Sequence, residues 1–313
     1  MPLYHVRHET RYHYDCTVSI SQQQLHLLPR HTPRQRILSF SLCCSPEPGS
    51  EKNGFDFFGN PVHWLSFDAP HAHLSVCSEM TVEVSPNTSE RRLDHSLPWE
   101  HIRNTLLYNA RPMQAGELNA LRVLFESPCI HFAPGIREFA ADCFPAGAPL
   151  LVCVQSLMQK LYEQCEFDPH ATTVTTSVSE VLQKRRGVCQ DFAHLMLACL
   201  RTLGLPARYV SGYLLTHPPE GKPRLAGADA SHAWISVYSP TAEGKPEWVD
   251  FDPTNNLLPD CEHITLAWGR DFGDVSPLRG IIRGGGTHHP HVEVTVTPRS
   301  GLSAGGDTSI RSD

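Results

Sequence analysis

Apolar positions divide this chain into stretches of different period. Up to residue 88 they alternate with polar ones in short runs, as in Tyr4-His5-Val6-Arg7-His8-Glu9-Thr10 and Met80-Thr81-Val82-Glu83-Val84. That two-residue period belongs to half-buried strands. Turn residues punctuate the runs at Pro46-Glu47-Pro48-Gly49 and Asp56-Phe57-Phe58-Gly59-Asn60-Pro61. An antiparallel β domain is therefore expected over 1–88. From 89 to 170 the spacing turns helical, as in Leu151, Val154, Leu157, Met158 and Leu161, with breaks near Pro128 and from Pro145 to Pro149. This stretch is expected to connect the β domain to a third unit over 171–298. That unit ends, after Gly284-Gly285-Gly286, in a last strand containing His291-Val292-Glu293-Val294-Thr295-Val296. The Ser/Gly/Asp-rich residues 299–313 predict a disordered tail.

The clearest helix lies in the third unit. Phe192, Leu195, Met196, Cys199, Leu200 and Leu203 recur at three- and four-residue spacing, one apolar stripe. Gly204 follows as the terminating glycine, Arg201 lies in the last turn, and Pro206 stands just beyond. Upstream, Ser177-Val178-Ser179-Glu180 has capping-box spacing for a short helix through Lys184. Cys189 falls in the first turn of the long helix, behind Lys184-Arg185-Arg186, where free amide hydrogens and cations favour a thiolate. It is the candidate nucleophile; Cys199, on the stripe, is assigned to the core.

Residues 233–238 and 247–252 alternate like strands around the turn-forming Ser239-Pro240-Thr241-Ala242-Glu243-Gly244-Lys245, a β-hairpin. A loop symmetric about its middle sets His232 opposite Asp252, Ala233 opposite Phe251 and Ile235 opposite Val249. One face then carries Ala233, Ile235, Val237, Val249 and Phe251, and the other His232, Trp234, Asp250 and Asp252. Opposed side chains lie about 5 Å apart, near enough for Asp252 to orient the imidazole of His232. Asp250 shares the face but pairs with Trp234 in this register, and stands as the alternative orienter. A thiol, an imidazole and a carboxylate in this arrangement are the parts of a Cys-His-Asp acyl-transfer triad.

At these residues the chain resembles the transglutaminase-like superfamily, in particular bacterial transglutaminase-like proteins with an N-terminal β domain. The resemblance is carried by Arg186-Gly187-Val188-Cys189-Gln190-Asp191-Phe192-Ala193, Asp229-Ala230-Ser231-His232-Ala233-Trp234, and residues 204–213, 248–255 and 269–275. It implies an α+β fold: a papain-like core, its nucleophile helix packed on an antiparallel sheet, preceded by the β domain. It also implies a thiol enzyme that cleaves or transfers acyl groups of peptide or carboxamide bonds through a thioester, with 171–298 as its catalytic core. Trp234, beside the base, is a candidate wall of the acyl groove, and Asp229 and Tyr213 are further candidate substrate contacts. Hydrolysis, as in a cysteine protease or amidase, is favoured because water is always available, whereas transfer needs an amine pocket. An amine-accepting transglutaminase and a non-catalytic peptide-binding module are the alternatives.

Composition narrows the partners. A net charge of -7, with no basic stripe interleaved with aromatics, disfavours nucleic acid and anionic membranes; a peptide or protein substrate is what the resemblance implies. No run of apolar residues reaches signal-peptide or membrane-spanning length, and eleven irregularly spaced cysteines suit a reducing, cytoplasmic setting. No cofactor is expected. Calcium is not implied, since no acidic EF-hand loop occurs, and no zinc pair of Cys-x-x-Cys type exists. His71-Ala72-His73 and His288-His289-Pro290-His291 carry metal-ligating side chains, but neither has a matching partner cluster along the chain, and both are assigned to exposed turns.

Overall fold

The computed structural model describes residues 1–86, 92–107, 112–216 and 231–299. The alternating N-terminal region forms β1 (Leu3–Leu25), β2 (Gln35–Ser45), β3 (Ser50–Phe55), β4 (Pro61–Phe67) and β5 (His71–Val84). The helical stretch supplies α1 (Trp99–Leu106), α2 (Ala115–Leu121), α3 (Ile136–Ala141) and α4 (Leu150–Gln164). Then come β6 (Glu166–Phe167), α5 (Val178–Lys184), β7 (Arg186–Gly187), α6 (Cys189–Thr202), β8 (Ala207–Leu214), β9 (Ser231–Tyr238), β10 (Trp248–Phe251) and β11 (His263–Gly269). The chain closes with α7 (Phe272–Val275), β12 (Leu278–Gly284) and β13 (His288–Arg299). Among the described residues no helix is long and apolar enough to cross a membrane.

β1 is the spine of a seven-stranded antiparallel sheet ordered β2-β5-β1-β4-β3, with β12 and β13 also paired to β1. Its first half lies between β5 and β13; past an irregularity between His13 and Val18, its second half lies between β4 and β12. The last strand was expected to close the third unit. Instead β12 and β13 return to the N-terminal sheet, and Gly284, Gly285 and Gly286, all at positive φ (98°, 90° and 62°), make the reversal between them. The 171–298 unit thus lends its last strands to the β domain. Of the tail expected over 299–313, Arg299 is instead the last residue of β13, paired with Leu3, and 300–313 lie outside the described residues.

The second sheet is ordered β10-β9-β8-β11, and α6 packs across β8 and β9. Residues 150–161 do more than connect: Leu150, Val154, Leu157 and Met158 of α4 share one buried core with α6, the second sheet, and Val6, Met80, Val82 and Val296 of the first. α6 is consequently buried on every side from Asp191 to Arg201, not along one stripe. Its buried Arg201 donates to the carbonyls of Ala207 and Arg270. Cys199 is fully buried, as expected for the core. The Ser177 hydroxyl accepts the Glu180 amide to cap α5. Gly204 (φ 77°) ends α6, with the Gly204 and Leu205 amides donating to Arg201 and Leu200.

β11 is an edge strand, and unpaired edges invite misassociation. Here two buried side-chain amides of the β domain complete it. Gln35 Nε2 donates to the Thr265 carbonyl (2.7 Å) while its Oε1 accepts the Thr265 amide (2.8 Å). Asn60 does the same to Trp268, at 2.8 and 2.9 Å. The β domain therefore holds the second sheet by imitating one more strand.

Candidate active site

Cys189 opens α6 because the preceding turn is built to stop there. The Val188 amide donates to the Asp191 carboxylate (2.8 Å), which also accepts the Thr172 hydroxyl (2.6 Å). A β-carbon on Gly187 would come within 2.6 Å of that carboxylate, so only glycine lets the cap close. The loop is pinned from the other side by the Asp168 amide on the Gly187 carbonyl. Cys189 itself is partly exposed at the edge of the core.

His232, at the start of β9, is nearly buried. Its Nε2–H donates to Asp252 Oδ2 at 2.7 Å, Asn255 Nδ2 stands 3.4 Å from the same nitrogen, and the Cys189 side chain also acts on the ring. With Nε2 committed to the carboxylate, Nδ1 is the nitrogen left for the thiol. Burial opposes charge on His232, yet the bonds to Asp252 and Cys189 prevail and push its pKa up to about 10. Asp252 is fully buried; burial works against its charge, but hydrogen bonds from His232 and His263 hold it well below the usual carboxylate range.

The inferred hairpin register needs correction. β10 pairs Phe251 with Ile235 and Val249 with Val237, a displacement of two residues from the symmetric loop. The cause is the turn: Thr241 and Lys245 close it, the Gly244 amide donates to Thr241, and Gly244 takes φ 79°, moving the centre one residue on. A shift of two preserves side-chain facing, so both faces keep their members. Asp252 lies beyond the end of β10, not opposite His232, and reaches it diagonally as the chain turns; its amide donates to the Leu257 carbonyl. Asp250 lies opposite Ser236 and accepts only a long bond from Trp234 Nε1 (3.4 Å) among the described side chains.

Further partners of Asp252 carry no sequence signal of their own. His263 on β11 donates from Nε2 to the same oxygen at 3.2 Å, and Asn255 Nδ2 donates to it at 2.7 Å. The amides of Thr254 and Asn255 donate to Oδ1. His232, Asp252 and His263 are the set among the described residues whose ligand atoms lie within 4.8 Å of one another. The 2.7 Å contact is a direct hydrogen bond, and the remaining lone pairs of the carboxylate are taken by His263, Asn255 and two backbone amides.

Trp234 is fully buried and packs edge-on against His263, with ring centroids 5.2 Å apart. It is one wall of a cavity of about 680 Å³ that Arg208, Trp248, His263 and Trp268 also line. Gly212 is required beneath it, since a β-carbon there would sit 2.4 Å from the Trp234 ring. Tyr213 is not on an open groove: it is fully buried, and its hydroxyl bonds His8 Nδ1 of the β domain at 2.8 Å. Burial leaves it no face for a substrate. Asp229 lies outside the described residues.

Comparison with known proteins follows the same division. Residues 4–83 match the Bacterial transglutaminase-like N-terminal region, and residues 139–253 match the Transglutaminase-like superfamily. An uncharacterized protein of Mycobacterium tuberculosis (strain H37Rv) is 39% identical over 284 residues, covering 89% of this chain and 87% of that one. A Pseudomonas aeruginosa protein-glutamine gamma-glutamyltransferase is 28% identical over 135 residues, 42% of this chain and 20% of that protein. In fold, a Cytophaga hutchinsonii protein provisionally described as a cysteine protease superposes with a TM-score of 0.73 at 21% identity, covering 96% of this chain and 91% of that one.

Proposed function

The chain belongs to the transglutaminase-like superfamily, and on that premise we propose that it is a thiol enzyme opening peptide or carboxamide bonds through Cys189, His232 and Asp252. The observation that carries this reading is the His232 ring, held on one side by the buried Asp252 carboxylate at 2.7 Å and with its charge favoured by the Cys189 side chain beside it. Asp252 orients His232 and favours its protonated form, so the proton is held on the imidazole while the sulfur carries the electron pair.

Cys189 Sγ attacks the carbonyl carbon, and the negative charge passes to the oxygen beside the free amides of the first turn of α6, among them that of Cys189. His232 gives its proton to the leaving nitrogen as the C–N bond breaks, leaving a thioester. Water then attacks that carbonyl, His232 takes its proton, and the thiolate departs from the released acid. Hydrolysis remains the favoured resolution because it needs no second substrate. All eleven cysteines are free thiols, which supports a reducing, cytoplasmic setting with peptide or protein substrates.

Incubation with peptide and glutamine-amide libraries tests the proposal, with release of ammonia or free amine as the readout. Turnover should vanish in Cys189→Ala, whose circular dichroism should match the wild type. Iodoacetamide should modify Cys189 ahead of the exposed Cys16 and Cys43. Turnover persisting in Cys189→Ala would overturn the triad. Unselective alkylation with no turnover would favour a binding module instead.

A further inference from the structure

We propose that His73, His13 and His289, one on each of three adjacent strands of the N-terminal sheet, form a binding site for a divalent transition metal. Neither histidine-bearing segment had a partner along the chain, but the sheet supplies one. β1 lies between β5 and β13, with His13 paired to His73 on one side and to His289 on the other. Directly paired residues project to the same face, so the three imidazoles form a row across the strands. All three residues are exposed. Alternation sends the neighbours to the opposite face. There His288 packs on Tyr12 and Tyr14, and the break in pairing between His13 and Val18 brings His71 to that side as well, buried against Tyr14 with Nδ1 bonding the Ala69 carbonyl.

The first two rings are already arranged as a chelate. His13 Nδ1 and His73 Nδ1 face each other at 2.9 Å, with ring centroids 4.5 Å apart. Only one of these nitrogens can carry a proton at that separation, so the other presents a bare lone pair. Replacing the shared proton by a metal requires opening the pair by about 0.4 Å, to the roughly 3.3 Å spacing of ligands on a tetrahedral ion, and turning both exposed rings so that their lone pairs converge on it. On the other side of His13, the His289 β-carbon stands about 5 Å from its own; the nitrogens of the three rings do not lie within 4.8 Å of one another, so the third bond requires the exposed His289 side chain to turn to another rotamer. Cys77 and Cys43, paired with each other, lie four residues along from His73, about 13 Å away, too far to join. An imidazole-only site suits zinc, nickel or copper. The site stands apart from Cys189, His232 and Asp252 and does not depend on their role.

The experiment is calorimetric titration of Ni²⁺ into the full chain, with Cys189→Ala as the background in every sample so that capture at the thiol drops out. The expected result is saturable binding of a single ion and a raised melting temperature. His13→Ala, His73→Ala and His289→Ala should each weaken binding by about tenfold or more. His291→Ala should leave binding unchanged, because His291 is engaged by Glu293 (3.0 Å). These exposed positions should leave circular dichroism unaltered; should an alanine variant fail to fold, glutamine at the same position replaces it. Absence of saturable binding, or affinity surviving His13→Ala or His73→Ala, overturns the site. Unchanged affinity in His289→Ala overturns the three-strand arrangement.

Discussion

Asp252→Asn is the substitution in which this site has most to lose. Each hydrogen bond that the described structure gives the carboxylate comes from a donor: His232, His263 and Asn255 side chains on Oδ2, and the Thr254 and Asn255 amides on Oδ1. An asparagine must turn its own NH₂ towards one of these two groups of donors, so neither orientation avoids a buried donor facing donors. Breaking one member of a buried pair costs roughly 3–5 kcal/mol, so the variant is expected to fold but melt well below the wild type. Turnover per folded molecule should fall by roughly 10² to 10⁴, the scale of positioned acid–base catalysis. The informative assay is the pH dependence of Cys189 alkylation. In the wild type the His232 charge, and the stability it contributes, are complete below about pH 6.5 and are lost as pH rises towards 10, because its folded value is raised. Asp252, held down, contributes above the usual carboxylate range, and that contribution is lost on acidification. In Asp252→Asn the His232-dependent limb should move towards neutral pH. An unchanged alkylation profile would refute the reasoning, as would an equal effect from Asp250→Asn, whose carboxylate does not touch His232.

Cys199→Ser should lower the melting temperature, since the thiol's acceptor, the Ile136 carbonyl, is 3.7 Å from the sulfur, too far for a shorter hydroxyl, and a buried hydroxyl poorly partnered costs roughly 1–3 kcal/mol. Activity per folded molecule should stay near wild type, and equal melting curves would contradict the placement. Gly187→Ala should slow Cys189 alkylation and cost roughly 1–3 kcal/mol by forcing Asp191 off its cap; wild-type alkylation with wild-type stability would refute the cap's role. Asn60→Leu should shift the urea midpoint downward by the equivalent of roughly 1–3 kcal/mol for each backbone group left unpaired on β11. A midpoint within error of wild type would show that the edge does not rely on the side-chain amide.

Much of the local structure was legible in the residue order. Ser177 and Glu180 marked the start of α5, Gly204 and Pro206 the end of α6, and the alternation after Ser231 the two faces of β9. Caps, stops and faces follow from hydrogen bonds and periods spanning a few residues, and these survive whatever the rest of the chain does. Cys189, His232 and Asp252 could be chosen because each sits at such a local landmark. Tyr213 could not be sorted the same way. Its apolar neighbours are as compatible with a groove as with the buried seat beside His8 that it occupies.

Tertiary structure decided whatever depends on where a chain reversal puts two distant segments. Gly244 shifted the β9–β10 register by two residues, a matter of one turn hydrogen bond and one backbone angle that alternation does not encode. His263 reached Asp252 only because β11 crosses to the far side of β8, and Asn60 met Trp268 only because the two sheets dock. The return of β13 to β1 likewise joined His289 to His13 and His73, turning separate histidine segments into one row. Such pairings are set by loop closure and by which faces must be buried together, so they became visible only once the whole chain had folded.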